Sequence, residues 1–360
     1  MALAHAWKWL LSPALVVIVI LAISCGSEKN APVTDELHIY NWDDYLAPDT
    51  LSDFEEEYGV KLILDTFQDE QAMFSTVQSD TSRFDVIVAS DSMIWDMARQ
   101  RLLAKIDTKA ITNLENIDSE FLGQYWDPEN LYSVPYTWGS TGIIYNKDYI
   151  PSPAKSWSLL RDPALSGHVA LLNDPLTVIA LTLKSLGYSL NSSDPEQVEE
   201  AVAVLVQQKS LLVGFLDPTT IREKMVSGEL WAAQTYNGEA VFLMENNPNL
   251  AFFIPHEGSD IWVDNLAIPR DARNMEAATL FLNYILRPEV QADISNYTGY
   301  ATPNRAALDS GLIDEEMLAN EASYPPWESL EAWLPMDSVQ VSLWNRAWAE
   351  IQRGLPPVGY

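Results

Sequence analysis

Cysteine is almost absent: the 360 residues hold one, Cys25. Disulfides, Cys-ligated zinc, iron–sulfur clusters and thiol nucleophiles are therefore excluded together from everything after it. Histidine is nearly as scarce, with four residues in all. His5 lies near the N-terminus, and His38, His168 and His256 are far apart, with no HExxH pair. No metal or cofactor site is expected, and without a GxSxG elbow no nucleophile is marked. Basic side chains are heavily outnumbered, 21 Lys and Arg against 51 Asp and Glu, for a formal net charge of −30. Phosphate binding needs a basic face, so nucleic acid is excluded as a partner. A negative body attracts cations and repels anions along the whole approach path. Acidity also serves solubility, so it sets the sign of a ligand without locating a site.

Residues 1–24 carry one charged side chain, Lys8, ahead of an apolar run from Ala14 to Ile23 that ends at Ala22-Ile23-Ser24-Cys25. A short positive region, an apolar stretch and small residues at its end describe an export signal. The run around Cys25 resembles the bacterial lipoprotein box, whose cysteine is lipidated and becomes the first residue of the mature chain. Residues 1–24 are thus expected to be a lipoprotein signal peptide. Residues 25–35, which lack any periodicity, are expected to be a tether. The expected location is extracytoplasmic, with Cys25 as a membrane anchor.

The body from residue 36 is long for a single core and predicts two lobes. ELHIY (36–40) predicts a strand, followed by a helix over 48–58 with Pro48 in its first turn and Gly59 past its end. VKLILDTF (60–67) predicts a second strand, 69–79 a helix, FDVIVAS (84–90) a third strand and 92–102 a helix. This β-α-β-α order predicts a parallel sheet with helices on both faces. GIIYN (142–146) resumes strand character. Helices follow near 175–187, 195–209 and 218–227, then a strand at 230–236 and a helix at 272–286. Lobes of this α/β kind bind ligands at the carboxyl ends of their strands, in the cleft between them.

At those strand ends aromatic residues and carboxylates recur together. The clusters are Trp42-Asp43-Asp44-Tyr45, Ser90-Asp91, Asn173-Asp174, Tyr236-Asn237-Gly238-Glu239 and Trp262-Val263-Asp264. Carboxylates accept charge-assisted hydrogen bonds from ammonium groups. Aromatic faces cover methylenes and attract the cation, at roughly 0.5–2 kcal/mol per contact. The combination suits a linear alkylammonium chain. Singly, each element has a plainer reading, because Trp at a strand end packs in a core and Asp after a strand caps a helix. Recurrence at several strand ends carries the functional reading. Trp-and-carboxylate walls also serve sugar-like or zwitterionic solutes, and a glycosidase uses paired carboxylates. Nothing marks an acid–base pair, so an enzyme is not expected.

Longer tracts are ordered along the chain from residue 36: HIYNWDDYLAPDT (38–50), FDVIVAS (84–90), SVPYTWGSTGIIYN (133–146), KSLGYSLNSSDP (184–195), WVDNLAIP (262–269), AATLFLNYILRPEV (277–290) and TGYATPN (298–304). Through them the chain resembles the spermidine/putrescine-binding periplasmic proteins. The resemblance implies an α/β type II periplasmic-binding fold, with two lobes of mixed sheets flanked by helices and a ligand cleft between them. It divides the body into lobe 1, 36–139 plus 263–308, and lobe 2, 140–262 plus 309–360. It implies capture of putrescine or spermidine by a monomer and delivery to an ABC permease.

Carried over by position, the resemblance assigns Trp42, Tyr45, Tyr236, Trp262 and Tyr300 to aromatic walls. It assigns Asp43, Asp44, Ser90, Asp91, Asp174, Glu239 and Asp264 to polar or acidic contacts, with Asp264 as the principal amine partner. Thr177 stands where the family has a glutamate, Ser92 where spermidine-type members have an aromatic, and Leu334 near the place of a glutamine. Glu239 is expected to supply the missing negative charge from another wall.

Overall fold

The computed structural model describes residues 36–353. The expected signal peptide, Cys25 and the tether lie outside the described residues. Among those described, no helix is long and apolar enough to cross a membrane.

The first stretch alternates as its sequence pattern predicts. It runs β1 (Glu36–Trp42), α1 (Thr50–Tyr58), β2 (Lys61–Phe67), α2 (Glu70–Ser79), β3 (Val86–Ser90) and α3 (Asp91–Arg99). Helix α1 buries Phe54 and stops where Gly59 adopts φ 68°, with its N–H on the Glu55 carbonyl; a left-handed C-cap favours glycine there. Its start differs from expectation: Asp49 is the N-cap, so Pro48 precedes the helix instead of opening it. Helix α3 is also shorter than expected, ending at Arg99. Asp69 caps α2 by accepting from the Ala72 N–H at 2.6 Å, and Ser90 caps α3 by accepting from the Met93 N–H at 3.3 Å.

The chain then runs β4 (Ser133–Gly139), β5 (Thr141–Asn146), β6 (Val169–Leu172), α4 (Pro175–Ser185), α5 (Pro195–Gln208) and β7 (Leu212–Leu216). It continues through α6 (Pro218–Ser227), β8 (Ala232–Tyr236), α7 (Asn237–Asn246), β9 (Leu250–Phe253) and β10 (Ser259–Ala267). The last part is α8 (Met275–Ile285), α9 (Pro288–Thr298), α10 (Arg305–Ser310), α11 (Glu315–Leu318), β11 (Leu330–Ala332) and α12 (Ser338–Gln352). Helices α4, α5, α6 and α9 each carry proline in the first turn, where no intrahelical N–H is lost.

Two mixed sheets result, the type II arrangement that the resemblance implies. In the first, β1 pairs in parallel with β2 and β3, while β10 runs antiparallel to β3 and β4 and parallel to β11. The parallel pairing predicted for the first stretch holds for β1, β2 and β3, and β10, returning from the second sheet in the opposite direction, makes the sheet mixed. The second sheet has the order β7-β6-β8-β5-β9, with β5 antiparallel to both neighbours. Each has its own apolar core. Leu37, Ile39, Val86, Ile87, Leu266 and Phe281 belong to one. Ile143, Val169, Leu205, Phe253 and Trp344 of α12 belong to the other.

Ser140 alone separates β4 of the first sheet from β5 of the second. The expected lobe boundaries fall at that residue, inside β10 and inside α10. Hydrogen bonds knit the crossing strands together. Asp260, fully buried, accepts from the Thr141 N–H at 2.9 Å and the Thr141 hydroxyl at 3.3 Å. The Ser259 hydroxyl donates to the Thr141 carbonyl. Asn237 accepts from the Ser140 N–H at 3.0 Å and donates to the Ala322 carbonyl at 2.8 Å. Asp260→Ala leaves these donors buried without an acceptor and is expected to cost about 1–3 kcal/mol. Urea unfolding checks it; an unchanged midpoint means the carboxylate does not hold the crossing.

Candidate ligand-binding groove

The strand register brings the predicted residues toward one place. On β10, Asp264 lies opposite Ser90 of β3 on one side and Thr137 of β4 on the other, and the pairing with β4 shifts register just after it. A bulge of this kind re-aims a side chain out of the regular pleat. Asp264 is only 6 % exposed. Its carboxylate accepts from the Tyr45 hydroxyl at 2.7 Å, and that oxygen lies 2.9 Å from the Thr137 hydroxyl. Burial pushes the Asp264 carboxyl up to about 6, with the Tyr45 hydrogen bond pulling against it. Among the described residues Asp264 has no Lys, Arg or His partner.

Aromatic rings form a continuous series beside it. Tyr300 stands 5.4 Å from Tyr45 and 5.2 Å from Trp262, and Trp262 stands 6.1 Å from Tyr236, all edge to face. Trp262 is partly buried, and its indole N–H has no protein acceptor. Two glycines make room for the series. A Cβ on Gly139 would lie 2.3 Å from the Trp262 ring, and one on Gly238 would lie 2.5 Å from the Tyr300 ring. Both glycines sit beside the aromatic residues in the sequence tracts, yet motif reading did not single them out. Only the close approach shows what they do.

Tyr236 reaches the second sheet's acid. Its hydroxyl donates to Asp174 at 3.1 Å. Asp174 is at once a helix cap, taking the Leu176 and Thr177 N–H groups of α4 at 3.0 and 3.3 Å and the Thr177 hydroxyl at 2.6 Å. Thr177 therefore supports Asp174 where the family has a second acid. Ser90 caps α3 and donates both its N–H and its hydroxyl to Glu70, at 2.7 and 3.0 Å. Asp91, buried, accepts from the Ser92 N–H at 2.6 Å.

The other residues stand differently. Trp42 packs on Phe67 at 4.4 Å. Asp43 and Asp44 are exposed on the β1–α1 loop, Asp44 with φ 52°. Together with Trp42, Tyr45, Leu51, Leu64 and Tyr297 they line a shallow pocket. Glu239 does not supply a free charge: Arg222 lies 3.4 Å away. Burial raises the Glu239 carboxyl, Arg222 opposes this, and Asp44 adds to it. Leu334 is exposed, with its N–H on Asn191. Sequence reasoning missed Glu70, Thr137 and Arg222, although Glu70 closes an aromatic-plus-acid run, Phe67-Gln68-Asp69-Glu70, at the end of β2.

Carboxylates and rings brought together by the middle of β10 and by the ends of β1, β3, β6 and β8 suit reversible capture of a small solute. The family model for bacterial extracellular solute-binding proteins matches residues 49–321. The chain belongs to that family. Membership implies an extracytoplasmic location. A spermidine/putrescine-binding periplasmic protein of Salmonella typhimurium is 33% identical over 312 residues, 86% of this chain and 89% of its own. The putrescine-binding periplasmic protein PotF of Escherichia coli is 31% identical, over 96% of this chain and 98% of its own. Among solved structures, the spermidine/putrescine substrate-binding protein PotD of Streptococcus pneumoniae superposes with a TM-score of 0.79 at 33% identity. That match covers 88% of this chain and 98% of the other. These relatives are solute-binding proteins, not enzymes.

Gly139→Ala in this solute-binding protein drives a methyl group into the Trp262 ring and the Asn237 side chain. It is expected to destabilise the fold by about 1–3 kcal/mol through overpacking and to alter the near-ultraviolet dichroism of the tryptophans. An unchanged spectrum and melting temperature would show that the ring does not lie against that glycine.

Proposed function

We propose that the groove captures a linear polyamine, putrescine or spermidine, and that the monomeric protein delivers it to an ABC permease. The observation that carries this reading is Asp264: a carboxylate buried beside the aromatic series, fixed by the Tyr45 hydroxyl and left without a cationic side chain among the described residues. A buried charge of this kind is costly unless it is matched, and an alkylammonium end matches it. Asp174, oriented by the α4 N-terminus and Tyr236, offers a second carboxylate for the other end of the chain. The Tyr45–Tyr300–Trp262–Tyr236 series between them covers methylenes. The ligand groups are Trp42, Tyr45, Ser90, Asp174, Tyr236, Trp262, Asp264 and Tyr300, with Asp43 and Asp44 at the rim. The named relatives bind the same class of solute.

Putrescine or spermidine is expected to raise the melting temperature of the purified protein in a dose-dependent way, while neutral sugars leave it unchanged. Asp264→Asn removes a charge-assisted contact and should cost about 1.5–3 kcal/mol of binding, read by calorimetry. Unchanged affinity in that variant would take Asp264 out of the site.

The export reading belongs to the same proposal: residues 1–24 direct secretion, and lipidated Cys25 tethers the receptor near its permease. Support is the lone cysteine at the end of an apolar run. Mass spectrometry of the membrane fraction should find acyl chains on Cys25, and Cys25→Ala should release the protein into the soluble fraction. A free thiol on the mature chain would sink the anchor.

A further inference from the structure

Two further carboxyls gather about Ser90, which lies opposite Asp264 in the β3–β10 pairing and donates to Glu70 at 2.7 and 3.0 Å, with Asp91 the next residue along. Glu70 comes from the first turn of α2 and Asp91 from the first turn of α3. Both are fixed in place, Glu70 by the N–H and hydroxyl of Ser90 and Asp91 by the N–H of Ser92, so neither swings freely to solvent. Each feels the charge of Asp264, Asp91 feels Glu70, and Glu70 also feels Asp174 across the groove.

The neighbours offer no relief. On Asp91, β10 brings Asp264 and the Val263 N–H, α2 brings Glu70, and the loop before β4 brings the Tyr125 hydroxyl. On Glu70, β3 brings only Ser90, and the acids of β10 and α4 oppose it. On Asp264, the β1–α1 loop brings Tyr45. No Lys, Arg or His forms an ion pair with any of the three among the described residues. Nor are they placed to share a metal ion.

Three like charges in one buried cluster ionise together at neutral pH only at a cost, which an arriving positive charge relieves. We propose that Glu70 and Asp91 make the groove a cation–proton exchanger, in which an arriving ammonium takes the place of a proton on the Glu70–Asp91–Asp264 cluster. The inference rests on the amine-binding reading. No covalent bond changes; the proton passes to solvent and the ammonium supplies the charge that it carried. Burial, reinforced by the neighbouring acids, pushes Asp91 up to about 8 and Glu70 up to about 7. Both therefore hold a substantial share of protons at neutral pH. A lone primary ammonium stays charged to about pH 10, as lysine does, and neighbouring charges on one ligand lower this, so the proton release that reports on the cluster is read below about pH 8. Affinity should rise with pH, about tenfold per unit for each proton released, and level off above about pH 9.

The same shifts bear on the ligand-free protein with a definite sign. An acid whose folded-state value lies above its unfolded one binds more protons when folded. It therefore costs stability once the pH passes the unfolded value, and the full cost is present above the folded value. Removing such an acid with its neutral isostere raises stability at alkaline pH.

The experiment is calorimetry of spermidine and putrescine binding to the purified protein at pH 7, in phosphate and in HEPES, repeated from pH 6 to 9. Buffer-dependent enthalpies corresponding to about half a proton or more released, with an affinity that climbs with pH, are the expected result. Asp91→Asn and Glu70→Gln should each reduce the release and flatten the pH profile. Asp91→Asn should also raise the ligand-free melting temperature at pH 8.5. Wild-type binding with a buffer-independent enthalpy and a flat profile overturns the exchange but leaves amine binding standing. A pH-dependent release that survives unchanged in both variants overturns the assignment to Glu70 and Asp91. No binding of either amine at any pH overturns the amine reading itself. Should Asp91→Asn fail to fold by circular dichroism, the wild-type buffer comparison and Glu70→Gln still decide the matter.

Discussion

The hydrogen bond from Tyr45 to Asp264 is the contact on which the groove depends. A buried carboxylate with a cationic neighbour would be a finished ion pair with nothing to offer a ligand. One with no partner at all would neutralise itself by taking up a proton. A neutral phenol is the intermediate solution: it fixes the carboxylate's position and stabilises its charged form without cancelling the charge. Tyr45 can do this because it is held in turn. Its hydroxyl meets Thr137 of β4, its carbonyl accepts from the Tyr136 hydroxyl, and its ring packs on Tyr136 and Tyr300. The loop after β1, the bulge on β10 and the strand β4 therefore define one geometry together.

That geometry sits where the two sheets exchange strands, and this ties the site to motion. Trp262 precedes Asp264 by two residues on the crossing strand β10 and lies against Gly139, the last residue of the other crossing strand. Tyr300 lies against Gly238, one residue after the Asn237 side chain that holds Ser140. Any rotation of one sheet relative to the other has to pass through Ser140, the stretch leading into β10 and the stretch from β11 to α12, and the first two carry the aromatic walls with them. The buried Asp260 and Asn237 restrain the crossings with directional hydrogen bonds, not bulk. Such bonds permit a hinge to bend while keeping its register.

Much of this was legible in the sequence, for identifiable reasons. Strands β1, β2 and β3 announce themselves by apolar runs bounded by helix caps, and Asp69, Gly59 and Pro175 mark helix ends by local chemistry alone. The aromatic and acidic pairs were visible because strand ends are where an α/β sheet presents side chains to a cleft. The antiparallel return of β10 was not legible, because a parallel and an antiparallel strand have the same apolar pattern. Glu70 escaped notice because it reads as an ordinary acidic residue in a first helical turn, and its role appears only once β3 places Ser90 beside it. The pairing of Glu239 with Arg222 was invisible for a similar reason: α6 and α7 meet only in the fold. Asp174 shows that a helix cap can also reach a second element, one oxygen taking the α4 N–H groups and the other the Thr177 and Tyr236 hydroxyls.

The distribution of charge between the walls follows from these details and bears on selectivity. On the second sheet's side, Thr177 spends its hydroxyl on Asp174, Arg222 offsets Glu239, and the buried Asp260 is spent on Thr141 and Ser259, so Asp174 is the carboxylate left there for the proposed ligand. On the first sheet's side, Asp264, Glu70 and Asp91 remain without any cationic side chain. The positive ends of a linear ligand therefore meet unequal fields, strong at one end and weak at the other. In the proposed binding mode a ligand with an ammonium at each terminus would place one beside the Asp264 cluster and the other against the helix-oriented Asp174. Discrimination among amines then depends less on the number of acids in the sequence than on how many have been spent on neighbours, and only the folded chain shows that.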